Sequence, residues 1–176
     1  MSETGEILPR PTDTVGRFLY TISRFFSVIG GIVLCSIALV TAISVSGRYF
    51  LNAPIAGDYE LVEIGTGLSV FLFLPFCQMV RENVIVDFFM SGAPERLKTF
   101  FDAIGCLLYG AIMVLMTWRL SYGGVDMYNT QETTGVLDIP RWLSFPVAIA
   151  CLMLLIAVII YTFSRDTKAL ISDETS

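Results

Sequence analysis

The sequence of 176 residues contains no histidine. Histidine is the usual general base near neutral pH and a common ligand of zinc, copper and haem iron. A membrane anchor for haem or quinol would therefore lack its usual ligands. We expect no metal site and no cofactor.

Paired cysteines are missing as well. None of the cysteines belongs to a CxxC pair, and each lies in a different apolar stretch, at Cys35, Cys77, Cys106 and Cys151. This pattern disfavours a disulfide or a zinc site. We interpret the four side chains as small apolar groups surrounded by lipid or by other helices.

Charge is scarce, because Asp, Glu, Lys and Arg make up only 15% of the residues, against about a quarter in a soluble domain. Four stretches carry no charge at all: 25–47, 64–80, 103–118 and 142–164. About 20 apolar residues of helix cross a bilayer core, so each stretch, extended by a turn where needed, predicts a spanning helix. The alternative of a soluble bundle requires one polar face per helix, and these stretches have none.

The sequence therefore predicts an all-α membrane protein with four transmembrane helices, at about 25–47, 60–80, 100–120 and 142–164. They form one membrane domain, 15–166, between a disordered tail, 1–14, and a second tail, 167–176. In residues 15–26, apolar side chains at helical spacing alternate with arginines. This pattern predicts a short amphipathic segment at the membrane surface before the first span.

Lysine and arginine are distributed unequally between the links. Arg48, Arg119 and Arg141 occupy the first and third links, and the other eight lie in the two tails, their flanking turns and the middle link. The positive-inside rule then places both termini in the cytoplasm. In the third link, Gly123-Gly124 predicts the end of the third helix. The long polar segment that follows is either a docking surface or a solvated loop.

The turn between the first two spans holds most of the candidate polar residues. Arg48 either reaches lipid phosphate or pairs with Asp58, Glu60 or Glu63. Asp58 is a suitable N-cap for the second helix, and the helix dipole alone can explain Glu60 in its first turn. Glu63 lies one turn deeper. An acid at that depth is a functional candidate by default, and the alternative is a hydrated interfacial acid.

Small residues recur every four positions in the first span, at Ala38, Ala42 and Ser46. Such a row lets another helix approach closely, but a helix rich in small residues also produces it by chance. Gly65 and Ser69 form a similar pair in the second span. These rows are the candidate helix-packing faces.

Several short motifs, in this order and in a four-span frame, resemble the small membrane subunit of tripartite ATP-independent periplasmic (TRAP) transporters, the DctQ-like family. The first motif is a turn in which aromatic residues follow an arginine, and the second is an acid at the start of the second span. The third is an arginine followed by a polar-apolar run that ends in Asp. The fourth is an Ile-Pro-x-Trp sequence that opens the last span, with a second proline after it. They lie at Arg48–Pro54, Glu60, Arg81, Asn83–Asp87, Ile139–Trp142 and Pro146. Asn83 stands where the family commonly has histidine, so no histidine role carries over.

The resemblance implies a non-catalytic subunit in the bacterial inner membrane. Its implied partners are a large membrane subunit that holds the substrate and sodium sites, a periplasmic binding protein that delivers an organic acid, and membrane lipids, with no nucleic acid. The small subunit would brace the scaffold against which the mobile part moves. Its candidate interface or structural residues are Arg48, Glu60, Glu63, Asn83, Asp87, Pro140 and Trp142.

A second hypothesis is a self-sufficient four-span transporter that works as a homodimer, with Glu63 as the proton-coupling acid. Small multidrug exporters are the analogy. The position of Glu63 near one end of its span and the long third link weigh against it. A membrane enzyme is a more distant hypothesis, because the sequence shows no nucleophile paired with a base.

Overall fold

A computed structural model of the chain describes residues 13–52, 55–80 and 95–173, with side chains for 13–52, 55–80 and 104–164. The described elements are α1 (Thr14–Leu51), α2 (Asp58–Val80), α3 (Glu95–Thr130), a short 3₁₀-helix (Arg141–Leu143) and α4 (Ser144–Asp173). Four segments, one in each of α1 to α3 and one formed by the 3₁₀-helix and α4, are long and apolar enough to cross a bilayer. The prediction of an all-helical chain with four spans is thus confirmed for these residues.

The expected surface segment and the first span form one continuous helix, α1, of 38 residues. At 1.5 Å per residue it is about 57 Å long, whereas the bilayer core is roughly 30 Å thick. Part of α1 therefore extends beyond the bilayer core. Tyr161 of α4 donates a hydrogen bond to Asp13 at the start of α1, with 3.4 Å between the two oxygens.

The third helix does not end at Gly123-Gly124, as the sequence had predicted, but continues to Thr130. Both glycines face Phe145 of α4, and a Cβ added at Gly124 would lie 3.0 Å from the Phe145 Cβ. The glycines therefore permit a close approach between α3 and α4. This packing outweighs the cost of about 1 kcal/mol that a glycine imposes inside a helix.

The helices are arranged in the spatial order α1, α2, α4, α3. α2 packs against α1 and α4, and among the described residues the close backbone contacts of α3 are with α4 and the 3₁₀-helix. The core forms where α4 lies between α2 and α3. It consists of Leu152, Leu155 and Ile159 of α4, surrounded by Phe71, Leu74, Cys106, Tyr109, Met113 and Leu120.

Four small residues of α1 are fully buried, and they are spaced by multiples of seven: Gly16, Ser23, Gly30 and Ser44. A seven-residue repeat keeps one face of a helix directed at its neighbour. At Gly30 an added Cβ would lie 3.0 Å from the Cβ of Leu72 in α2. At Gly30 the absence of a side chain therefore allows the backbones of α1 and α2 to approach closely.

The two small-residue rows predicted from the sequence behave differently. In α2, Gly65 contacts Ile37 of α1, and Ser69 is buried, so this pair does pack inside the chain. In α1, Ala38, Ala42 and Ser46 are exposed. The four-residue row of α1 therefore faces away from α2.

Candidate functional site

The end of α1, the end of α3 and the starts of α2 and α4 lie at one end of the bundle, which we call the loop end. A polar cluster joins α1 to α2 there. The Ser44 hydroxyl donates a hydrogen bond of 2.6 Å to Asp58 Oδ2, and it accepts one of 3.3 Å from the Ile55 amide. Arg48 Nη2 lies 3.6 Å from the same Asp58 oxygen, and Arg48 Nη1 donates to the Tyr59 hydroxyl at 3.3 Å.

Among the three acids near Arg48 in sequence, the structure thus pairs the arginine with Asp58. The prediction that Asp58 caps α2 was wrong in detail. The helix already includes Asp58, and the carbonyl of Gly57 accepts the first helical hydrogen bond, from the Leu61 amide. The Asp58 carboxylate still accepts a hydrogen bond from the first-turn Tyr59 amide, at 2.9 Å, and its other oxygen bonds to Ser44, so it also fastens the two helices together.

We expect Ser44→Ala to destabilise the α1–α2 connection modestly. The substitution removes one hydrogen bond to Asp58 and one from Ile55, but Asp58 keeps Arg48 and the Tyr59 amide as partners. The free energy of unfolding should fall by about 1 kcal/mol. Thermal unfolding of the purified chain in a mild detergent measures this change. Ser46→Ala, at an exposed position in the same helix, is the control and should leave stability unaltered.

Glu60 binds a segment that is distant in the sequence. Its two carboxylate oxygens accept hydrogen bonds from the backbone amides of Val136, at 2.7 Å, and Leu137, at 2.9 Å. The helix dipole already favours Glu60 in the first turn of α2. Its carboxylate also anchors the connection between α3 and α4. Gly57 lies beneath the same connection. It has a φ of +80°, and the Leu137 side chain occupies the space of a Cβ.

The connection itself, residues 131–140, is an ordered hairpin-like loop. Thr134 and Ile139 are joined by two hydrogen bonds, from the Thr134 amide to the Ile139 carbonyl and from the Ile139 amide to Thr134 Oγ1. Thr134 is buried, with 3% of its surface exposed. Gln131 and Asp138 adopt a positive φ of 51°. The loop is thus shorter than the predicted link, and these hydrogen bonds hold it although most of its residues are exposed.

Glu63 lies in the second turn of α2 and is exposed. It makes no hydrogen bond or salt bridge with any side chain that the structure describes. Together with Thr134 and Arg141 it lines a cleft between α2, α3 and α4. The structure therefore separates Glu63 from the Arg48–Asp58 pair and from the Glu60 contacts.

Pro140 and Trp142 define the start of the fourth span. Pro140 precedes the 3₁₀-helix and its carbonyl accepts a hydrogen bond from the Leu143 amide, at 3.2 Å. The Trp142 ring packs edge-on against Tyr128 of α3, with 5.4 Å between the centroids. Both residues thus hold the loop between α3 and α4. The remaining candidates, Asn83 and Asp87, lie outside the described residues.

Sequence reasoning missed several residues of the loop end, among them Ser44, Thr134 and the aromatic partners Tyr59 and Tyr128. Ser44 lies fourteen residues after Gly30, two repeats of the seven-residue spacing that separates Ser23 from Gly30, and this spacing could have indicated it. Thr134 carries no comparable signal, because its burial depends on the turn of the loop around it. Within the described parts of the chain, no group of three or more His, Cys, Asp or Glu residues could hold a metal ion.

Comparison with family models matches most of the chain. The family model described as "Tripartite ATP-independent periplasmic transporters, DctQ component" matches residues 37–169. No curated protein and no solved structure matches the chain. The matched region runs from the middle of α1 almost to the end of α4, so it includes every contact of the loop end described above.

Proposed function

Since this chain belongs to the family of DctQ components of tripartite ATP-independent periplasmic transporters, we propose that it braces the large membrane subunit during uptake of a substrate. DctQ components work with that large subunit and with a periplasmic binding protein. The chain is accordingly a small permease subunit and a multi-pass membrane protein. We further propose that it lies in the bacterial inner membrane with both termini in the cytoplasm, and that uptake is coupled to sodium and carries an organic acid.

The observation that supports a bracing role is the way the loop end is fastened. Ser44 and Asp58 join α1 to α2, and Glu60 joins α2 to the loop before α4. Each of these contacts bridges two separate segments of the chain. A body held together in this way suits the static part of a transporter, against which another part moves.

The exposed row of Ala38, Ala42 and Ser46 supports a contact with the large subunit. These residues are not used for packing against α2. In a membrane, small side chains at a four-residue spacing allow close helix association, because dispersion contacts rather than water exclusion drive it. We propose that this row is part of the surface that meets the large subunit.

The hypothesis of a homodimeric transporter driven by Glu63 gains no support. Glu63 lies in the second turn of α2, near the loop end, and not in the middle of its span. The matched family consists of components of transporters with several subunits.

Uptake by reconstituted vesicles tests the proposal. The chain, the large subunit and the binding protein are combined in proteoliposomes, and uptake of labelled organic acids is measured with and without a sodium gradient. We expect uptake only with all three components and the gradient. Omitting the chain should reduce uptake to background and lower the thermal stability of the large subunit. Uptake by the chain alone would contradict the proposal, and unimpaired uptake without the chain would contradict it as well.

A further inference from the structure

The cleft beside Glu63 has a volume of about 270 Å³ and is open on one side. α2 and α4 both run away from the loop end, so the order of residues along them gives the depth of each lining residue. Glu63, Arg141 and Ser144 come first, and apolar residues follow. The apolar lining consists of Ile64, Leu68 and Phe71 of α2, Phe145 and Ala148 of α4, and Met127 of α3, and Gly67 of α2 lines the cleft as well.

The cleft thus has a charged entrance and an apolar floor. Glu63 and Arg141, of opposite sign, are both exposed, and neither side chain pairs with any side chain in the described part of the chain. Both belong to segments that can cross the membrane. Arg141 is the first residue of its segment and Glu63 lies in the second turn of α2, so both charges lie near the ends of these segments, where charged side chains reach water or lipid headgroups. The entrance therefore presents the Glu63 carboxylate, which can accept hydrogen bonds from a cation, and the Arg141 guanidinium, which can donate hydrogen bonds to an anion.

We propose that this cleft binds one molecule of a zwitterionic phospholipid that carries a primary ammonium group, with phosphatidylethanolamine as the probe. Arg141 would bind the phosphate, since a guanidinium matches phosphate geometry. Glu63 would accept hydrogen bonds from the ammonium group. The floor between Ile64 and Ala148 would hold part of one acyl chain.

The volume of the cleft is consistent with a site that encloses only part of a lipid molecule. Clefts that enclose a whole drug-sized ligand measure about 300–1,000 Å³, so this one holds only a segment of a lipid and leaves the remainder in the bilayer. The apolar floor would accept any acyl chain. The paired charges would add the selectivity, because an anionic lipid without an ammonium group leaves Glu63 without a partner and close to a negative charge.

The test uses the complex of this chain with its large subunit, purified in a mild detergent and stripped of loosely held lipid. Native mass spectrometry then follows the binding of added phosphatidylethanolamine or phosphatidylglycerol. We expect the unaltered complex to bind one phosphatidylethanolamine about tenfold more tightly than Glu63→Gln or Arg141→Gln does. Glu63→Gln should also lose the preference over phosphatidylglycerol. Glu132→Gln and Arg119→Gln, outside the cleft, are the matched charge controls and should bind as the unaltered complex does.

A second variant keeps the test decisive if loss of a charge impairs assembly. Gly67 lines the cleft, and an added Cβ there meets nothing within 4 Å, so Gly67→Leu is the substitution chosen to place a side chain in the cleft. We expect it to remove the bound phosphatidylethanolamine. Gly105→Leu, at an equally open position in α3 outside the cleft, should retain it.

Three results would overturn the proposal. The first is equal binding of phosphatidylethanolamine by the unaltered complex and by Gly67→Leu. The second is equal affinity of the unaltered complex for the two lipids. The third is an intact complex in which substitution of Glu63, Arg141 or Gly67 does not change the amount of bound phosphatidylethanolamine. Another occupant, such as a side chain of the large subunit, would then fill the cleft.

Discussion

Gly30→Leu is expected to separate α1 from α2 and to cost about 3 kcal/mol of stability, at the upper end of the usual overpacking penalty. An added Cβ would lie 3.0 Å from the Cβ of Leu72 and 3.4 Å from the Phe73 ring. The Leu72 Cβ is fixed to its backbone and cannot rotate away, so the two helices must move apart. Thermal unfolding of the purified chain in a mild detergent should show a much lower transition temperature.

The neighbouring glycine provides the control for this experiment. Gly31 has open space around an added Cβ, because nothing lies within 4 Å of that position. Gly31→Leu makes the same chemical change in the same turn of helix and gains the same helix propensity. It should leave the unfolding transition unchanged or slightly raised. If both variants were equally destabilised, the close approach of the backbones at Gly30 would not be the cause.

Glu60→Ala is expected to release the loop between α3 and α4. The Val136 and Leu137 amides would lose the carboxylate that accepts both of their hydrogen bonds. Hydrogen bonds to a charged group are stronger than neutral ones, so exchange of these two amides with deuterated solvent should accelerate about tenfold. Hydrogen–deuterium exchange of peptides that cover residues 131–140 measures this directly, and peptides from the middle of α2 should not change.

Glu132→Ala is the matched substitution in the same loop. Glu132 is exposed, and its backbone carbonyl, rather than its side chain, accepts the hydrogen bond from the Arg141 amide. Exchange at Val136 and Leu137 should therefore remain slow in this variant. Equally slow exchange in Glu60→Ala would show that the remaining loop contacts suffice, and that the carboxylate does not hold the loop.

The four spans could be predicted because a bilayer imposes one length and one polarity on every helix that crosses it. The stretch 142–164 is an example, since it has no charge and lies within the 3₁₀-helix and α4. Helix ends were harder to predict. At Gly124 the low helix propensity of glycine indicated a stop, but contact with Phe145 outweighed it.

The partners of the polar residues could be predicted only in part. Arg48 and Asp58 are ten residues apart and share one turn, so their pairing was among the expected possibilities. Glu60 and Val136 are 76 residues apart. Their contact depends on the packing of α4 beside α2 and on the left-handed conformations of Gln131 and Asp138. No local pattern in the sequence encodes that combination.

The spatial order of the helices has a consequence for biogenesis. α1 and α2 are neighbours in both sequence and space, so they can associate as soon as both have left the ribosome. Among the described residues the close backbone contacts of α3 are with α4 and the 3₁₀-helix, and its spanning segment has the lowest mean hydropathy of the four, 1.5. Among the described helices, the main packing partner of α3 is thus α4, which is translated after it. Within the described part of the chain, α3 can therefore complete its packing only after α4 has been made.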